Sequence, residues 1–259
     1  MKVTIITTCL NRVHTIGRAI ESVIRQDYAD IEYIVVDGGS TDGTLDVINR
    51  YRDHISHLVS EPDHGMYEAI NKGLRLATGD VIGLVHSDDV LYDSTVISQV
   101  AEAMVVSAAD MVYGDGLFVR GDRVIRNWIS GTNRRWKLRA GWLPLHPTCY
   151  VRSDVFARYG AYNEHYQIAA DTDWLFRNLY VNRIHTVYLR RYIVKMDMGG
   201  LSTDSSRRRQ MWREDTAIYQ SFHLSGKVMK VMKMMWKLPQ FIPNRSLGFL
   251  CVVRQREIL

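Results

Sequence analysis

Four short apolar runs in the first 85 residues constrain the fold of this chain more than any other feature. They are VTIITT at 3–8, EYIVVD at 32–37, HLVS at 57–60 and VIGLV at 81–85. The segments between them have helical spacing. Ile16, Ala19, Ile20, Val23 and Ile24 share one face over 15–26, and Met66, Ala69, Ile70, Gly73, Leu74 and Ala77 mark another. Residues 43–52 supply a third helix. Apolar residues three and four apart mark a helix, whereas short apolar runs bounded by turn residues mark buried strands. A helix near 94–107 and a strand near 111–119 continue the alternation. Such a pattern predicts an α/β fold, a mostly parallel twisted sheet flanked by helices. In sheets of this kind ligands bind beyond the carboxyl ends of the strands.

Three polar clusters lie at such ends: Thr7-Thr8-Cys9-Leu10-Asn11-Arg12, Asp37-Gly38-Gly39-Ser40-Thr41-Asp42 and His86-Ser87-Asp88-Asp89. Topology places them along one rim, so they can build one site. The Asp88–Asp89 pair is the sharpest signal. A buried strand that delivers two carboxylates into a loop is costly unless a cation compensates them. Hard cations such as Mn²⁺ or Mg²⁺ take carboxylate oxygens and share their shell with phosphates. The pair therefore suggests a metal–diphosphate site. The plain alternative is a turn, with Ser94 capping the helix that follows. After the second run, Ser40 or Thr41 is placed to cap the next helix.

The second half is less regular. Residues 120–145, rich in Arg, Gly and Trp, read as a loop region. A strand is expected at 146–151, helices at 153–159 and 171–180, and a strand at 185–190. Gly199-Gly200 breaks the chain, and 206–238 reads as one or two helices. A chain of 259 residues, 46% hydrophobic and 24% charged, can bury a real core. The start has no signal-peptide pattern, and no run approaches the ~18–20 apolar residues of a membrane span. Cys9, Cys149 and Cys251 fit neither a disulfide framework nor a zinc spacing, which favours a reducing cytoplasm.

The strings TTCLNR, VVDGGSTDGT, SEPDHGMYEAINKGLRLATGD, HSDD and IAADTDWLFR, in this order, carry a resemblance. Over residues 1 to about 200 the chain resembles the family 2 inverting glycosyltransferases of the GT-A fold, in particular bacterial enzymes of capsule, O-antigen or exopolysaccharide assembly. The resemblance implies a nucleotide-diphospho-sugar transferase-like domain over 1–204. Within it, 1–119 would bind the nucleotide sugar, and 120–204 would carry the acceptor side and the catalytic base. It implies a nucleotide-sugar donor, UDP by family habit, and a lipid-linked or glycan acceptor. Thr8, Asn11 and Arg12 would then contact the nucleoside, Asp37 the base N–H, and Asp63 the base or ribose, with Asn71 bordering the nucleotide. Asp88 would lie near the ribose or metal-bound water, and Asp89 would hold Mn²⁺ or Mg²⁺. Lys72 faces either the diphosphate or solvent. Asp171 aligns with the aspartate of the family's Glu-Asp motif and would take the acceptor proton. Ala170 stands where that glutamate usually lies, and Asp173 is the rival base. His86, His146, Trp142 and Arg135 are weaker candidates for the acceptor or diphosphate side, and Trp174 for stacking on a sugar.

The charge is uneven. Residues 205–259 carry 11 Lys and Arg against 3 Asp and Glu, whereas 1–204 carry 22 against 25. Lys227, Lys230, Lys233 and Lys237 recur at helical steps among Val and Met. This basic, amphipathic extension over 205–259 suits either peripheral contact with an anionic membrane through 226–242, on the inner face of the cytoplasmic membrane, or packing on protein. Nucleic acid is not expected, because no base-reading module is present. The processive QxxRW signature is absent, so transfer of a single sugar is expected. Two other functions share the rim. One is a non-catalytic nucleotide-sugar-binding subunit. The other is a sugar-phosphate nucleotidyltransferase, which usually opens with a Gly-rich phosphate loop, whereas TTCLNR has no glycine.

Overall fold

The structure is a computed structural model that describes residues 1–121, 123–197 and 207–241. The expected break at Gly199-Gly200, Cys251 and the extension beyond 241 lie outside the described residues.

The first half follows the sequence pattern closely. Strands β1 (Val3–Cys9), β2 (Ile31–Asp37), β3 (His57–Ser60) and β4 (Val81–Leu84) alternate with helices α1 (Ile16–Ile24), α2 (Thr44–Asn49) and α3 (Met66–Leu76). They form a parallel array in the order β3-β2-β1-β4. Side chains alternate across these strands. Ile6, Ile34 and Val36 face a core with α3, while Val3, Ile5 and Val35 face one with α1 and α2. At Gly73 of α3 an added Cβ would lie 2.6 Å from Ile6 Cγ2, so the helix seats on β1 only because that side chain is missing.

Beyond β4 the sheet is mixed. The remaining elements are β5 (Asp89–Leu91), α4 (Val96–Ser107), β6 (Met111–Arg120), β7 (Arg123–Trp128), α5 (Arg135–Arg139), β8 (Tyr150–Arg152), α6 (Ser153–Tyr159), α7 (Ala170–Phe176), β9 (Thr186–Asp197), α8 (Arg208–Ser221) and α9 (Gly226–Lys237). The sheet continues β4-β8-β6-β9-β5, with β7 paired to β6. Of these pairs only β6–β9 is parallel.

Several expectations need correction. The stretch expected as loop at 120–145 contains β7, a hairpin partner of β6, and the short helix α5. The strand expected at 146–151 begins with a turn of 3-10 helix at His146–Thr148. Asp89 does not lie in a loop but opens β5, opposite Met196. Neither Ser40 nor Thr41 caps α2. Gly43 holds that position at φ 93°, and Asp42 accepts the Thr44 N–H at 3.0 Å. Ser94 does not cap α4 either, since Asp93 accepts the Thr95 N–H at 2.9 Å.

Helices α8 and α9 pack on the α3 face of the sheet, where Tyr219 and Met229 join the cluster around Trp174. Among the described residues no helix is long and apolar enough to cross a membrane. The four lysines of α9 do not share an outer face. Lys233 turns inward to Asp215 at 3.0 Å, while Val228, Val231, Met234, Met235 and Leu238 are exposed. The outward stripe of the helix is therefore apolar.

At the far end of the parallel array, buried Glu32 accepts bonds from Lys2 Nζ at 2.9 Å, Thr4 Oγ1 at 2.6 Å, and Thr78 N at 2.7 Å and Oγ1 at 2.6 Å. Burial pushes its carboxyl up, but these bonds outweigh it and hold the group at about 2. Its contribution is present above its ordinary 4.5 and is lost as the pH falls toward 2. Glu32→Gln is expected to lower unfolding stability at neutral pH by on the order of 2 kcal/mol. Urea melts of both proteins should converge at acid pH.

Candidate functional site

The parallel strands end level. Cys9 pairs with Asp37 and Asp37 with Ser60, and the Val85 N–H bonds the Ile6 carbonyl at 3.1 Å as the chain leaves β4. The three polar clusters thus share one edge. Asp37 is fully buried there, and both its oxygens are engaged. Oδ1 accepts from Ser40 Oγ and, at 3.5 Å, from Cys9 Sγ; Oδ2 accepts from Ser60 Oγ at 2.7 Å and from Ser40 N at 3.1 Å. Burial raises its carboxyl, yet these bonds outweigh it and hold it below the ordinary range. A carboxylate has about four acceptor sites, and here all are used. Asp37 therefore ties the loop together.

The free acid at this edge is Asp63. Its Oδ1 accepts the Gly65 N–H at 3.0 Å, and its Oδ2 lies 2.5 Å from where a Cβ on Gly38 would stand. Gly38 thus admits a second carboxylate beside the first. Burial is the main reason that the Asp63 carboxyl is raised. Asn11, at φ 53°, links the two loops: its N–H bonds Ser40 Oγ at 2.8 Å and its Oδ1 accepts the Thr41 N–H at 2.9 Å. The Arg12 N–H is anchored to Thr44 Oγ1 at 2.7 Å. Its guanidinium has no hydrogen bond or ion pair among the described residues. Thr8 is buried at the end of β1. Lys72 is held by Glu61 at 3.0 Å and Glu68 at 3.2 Å, so it is neither solvated nor free.

Asp89 is 2% exposed, and its Oδ2 has no hydrogen-bond partner. Burial, then the charges of Asp88 and Asp197, raise its carboxyl well above the ordinary range. Both features fit a divalent cation, which would satisfy the orphaned oxygen and favour the ionised form. Among the described residues no group of three or more His, Cys, Asp or Glu side chains is placed to hold a metal ion.

The second half brings Asp171 to the same place. Its Oδ1 accepts the Thr172 N–H at 2.7 Å and the Tyr67 hydroxyl at 3.4 Å. Burial raises its carboxyl; Lys233 pulls it down and Asp215 pushes it up. Asp173 points away and pairs with Arg177 at 3.6 Å. Asp171 itself accepts the first-turn Thr172 N–H of α7, and Glu214 of α8 holds the segment leading into the helix, accepting the N–H groups of Ile168 and Ala169 at 2.9 Å each. His86 joins the two halves. Burial lowers its imidazole, while the charges of Asp88 and Asp171 both act to raise it. The ring of His146 stands 6.3 Å away. His146 is bonded to the Tyr162 hydroxyl at 2.7 Å, and burial pushes it down to about 3.

Other candidates are occupied elsewhere. Buried Asn71 donates to the Tyr162 carbonyl at 2.9 Å and to Glu164 at 2.7 Å, and accepts the Tyr162 N–H at 3.1 Å. It fastens α3 to the 162–164 segment. Trp174 is fully buried among Phe156 and Tyr162, so it is a core residue and not a stacking platform. Trp142 is mostly buried, edge-on to Tyr113, with its indole on the Ser130 carbonyl at 2.8 Å. Arg135 is exposed and lies over the Tyr180 ring at 4.8 Å. Sequence reasoning missed Glu214 and Asp215, whose only signal is two adjacent acids in a basic stretch, and it read Lys233 only as one of the spaced lysines of the extension.

A parallel sheet that carries two acids at the end of its fourth strand, continued by a mixed half that returns a third acid to the same edge, is a GT-A, nucleotide-diphospho-sugar transferase-like fold. Residues 4–166 match the model of glycosyl transferase family 2, and the chain belongs to that family. A "PGL/p-HBAD biosynthesis glycosyltransferase" of Mycobacterium bovis is 30% identical over 210 residues, covering 76% of this chain and 78% of the relative. An uncharacterized glycosyltransferase of Mycobacterium tuberculosis is 29% identical over 228 residues, 86% of this chain and 82% of the relative. Two solved structures share the fold. S. aureus TarS 1–349 in complex with UDP-GlcNAc gives a TM-score of 0.68 at 18% identity, over 96% of this chain and 75% of that one. A mannosyltransferase from Pyrobaculum calidifontis in complex with GDP-Man and Mn²⁺ gives 0.64 at 17%, over 92% and 72%.

Glu214→Ala would leave the Ile168 and Ala169 N–H groups, just before α7, without their acceptor. The variant is expected to lose about 1–3 kcal/mol of stability in urea unfolding. Faster amide exchange at Ile168 and Ala169 than in the parent would locate the loss.

Proposed function

We propose that this protein transfers a single sugar from a nucleotide-diphosphate donor, a UDP-sugar, to a lipid-linked or glycan acceptor with inversion, in assembly of a bacterial surface glycan or glycolipid. The observation that carries the reading is His86, whose ring lies within the field of both Asp88 and Asp171. The acids at the end of β4 and the acid of α7 thus belong to one site, although 82 residues separate Asp89 from Asp171.

In this reading the donor lies along the rim. Asp63 Oδ2 accepts the base N–H in place of Asp37, and the Arg12 guanidinium and the Thr8 and Asn11 loop meet the nucleoside and phosphates. Asp89 would hold a divalent cation through its orphaned oxygen, with Asp88 beside it near the ribose. When bound, such an ion neutralises charge that develops on the departing diphosphate. Asp171 takes the acceptor hydroxyl proton as that oxygen attacks the anomeric carbon. The bond from that carbon to the diphosphate oxygen breaks from the opposite face, and its electron pair leaves with the nucleotide. Tyr67 orients the base, and neutral His86 and His146 line the floor between the two acid groups.

Donor turnover tests this. Purified protein with a panel of nucleotide sugars and Mn²⁺ is expected to release nucleotide slowly from one donor and to stop with chelator. Asp171→Asn should lower that rate by about 10²–10⁴-fold while donor binding persists, and Asp89→Ala should lower it by at least about 100-fold. Donor binding with a rate indifferent to Asp171→Asn would favour a non-catalytic subunit.

The pH profile gives a second check. Asp171 must be ionised to act, and its carboxyl is raised, so the rate should fall at acid pH along a limb above its ordinary 3.8. The Lys233 cation pulls that carboxyl down. Lys233→Met should therefore move the acid limb of kcat/KM to higher pH.

A further inference from the structure

A cleft of about 430 Å³ lies between the end of β7, the turn at Gly141 and the last turns of α9. Trp128, Ile129, Trp142 and Trp236 form much of its wall. The indole N–H groups of Trp142 and Trp236 are taken by the carbonyls of Ser130 and Ala140, at 2.8 Å each. These two rings therefore offer the cleft apolar surface.

Two cations, Lys233 and Lys237, also line the cleft, and no acid does among the described residues. Lys233 is neutralised by Asp215 at 3.0 Å. Lys237 has no ion pair among the described residues. Burial pushes its ammonium down to about 8; the charges of Lys233 and Arg126 act the same way, and those of Asp215 and Asp171 oppose them. A cation in a desolvated, apolar cleft without its own counter-charge favours an anionic guest.

The two ends of the cleft identify the rest of that guest. Outward, Ile129 both lines the cleft and is exposed, and the exposed Trp136 ring stands 6.1 Å from that of Trp236. Beside them Val228, Val231, Met235 and Leu238 recur at helical steps as the exposed apolar stripe of α9. The apolar wall thus continues into an apolar surface, the property of a membrane or lipid contact. Inward, Lys233 Nζ bonds Thr172 Oγ1 at 3.2 Å, and Thr172 is the neighbour of Asp171.

We propose that this cleft is the acceptor site and takes the phosphate of a long-chain lipid carrier, with the phosphate on Lys237 and the chain running past Trp128 and Ile129 onto the outer stripe of α9. The proposal rests on the glycosyltransferase reading and names the acceptor class for the same site. The anion fixes the depth of the carrier, and the proximity of Lys233 to Asp171 brings the acceptor hydroxyl to the base. Lys237 is a binding residue in this scheme and takes no part in proton transfer.

The test is titration of the full chain with farnesyl phosphate below its micelle concentration, followed by tryptophan fluorescence, with donor binding measured in parallel. Saturable quenching is expected. It should weaken by about tenfold in Lys237→Met and stay close to wild type in Lys237→Arg. Lys227→Met, which removes an exposed lysine of the same helix, should also bind as wild type. Affinity should fall as the pH rises through about 8, where Lys237 loses its proton. Failure of farnesyl phosphate to bind, or farnesol binding equally well, would overturn the proposal. Equal losses in Lys227→Met and Lys237→Met would do the same by indicating adsorption to the surface. Inorganic phosphate competing at the same concentrations would make this a free-phosphate seat and also overturn it. Donor turnover with no farnesyl phosphate binding removes the cleft and leaves the enzyme reading. Farnesyl phosphate binding with no donor binding overturns the acceptor role together with that reading.

Discussion

Withdrawing a carboxylate from water costs several kcal/mol unless something compensates the charge, and the carboxyl edge of this sheet handles that cost in three ways. Asp37 is compensated by four hydrogen bonds from its own neighbourhood and is held ionised. Asp171 has Tyr67 and the field of Lys233. Asp89 has an oxygen with no partner at all. The first is a structural tie, the second a buried carboxyl raised by its surroundings, and the third a carboxyl with one oxygen unengaged. One chemical group has three behaviours because its surroundings differ.

The C-terminal helices are therefore part of the surroundings of Asp171. Glu214 fastens the segment that leads into α7 by accepting the N–H groups of Ile168 and Ala169. Asp215 holds Lys233, and Lys233 in turn bonds the residue beside Asp171. The same helix presents an apolar stripe outward and a lysine-lined cleft inward. These C-terminal helices thereby act on the charge of Asp171 and wall the cleft. Gly141 makes this packing fit, since an added Cβ would stand 2.8 Å from the Met229 carbonyl and 2.9 Å from the Lys233 N.

Much of the fold was legible because parallel strands buried on both faces read as apolar runs, and the helices between them carry a clear stripe. That held for β1 to β4, α1, α3 and α4. It failed for β5 and β7, where three residues and a half-exposed hairpin arm give no period to detect. It failed also for α2 and α4 at their starts, because serine and aspartate both suit the cap and only the coordinates decide between them. In the site, the convergence of His86, Asp88, Asp89 and Asp171 followed from strand order and the resemblance. The bonds that engage Asp37 and Asn71 were not legible, because a linear pattern does not reveal which neighbours take up their polar atoms.

The sequence by itself determined the α/β alternation, the rim on which three polar clusters meet and the family to which the chain belongs. Each depends on local periodicity or on residue order, and both are properties of the linear chain. Only the tertiary structure decided how each acid at the edge is engaged, which lysines of α9 turn inward and where a cleft opens along that helix. Those outcomes depend on burial and hydrogen-bond partners from segments far apart in the chain, such as Tyr67 and Asp171, which are 104 residues apart, and no local pattern encodes them.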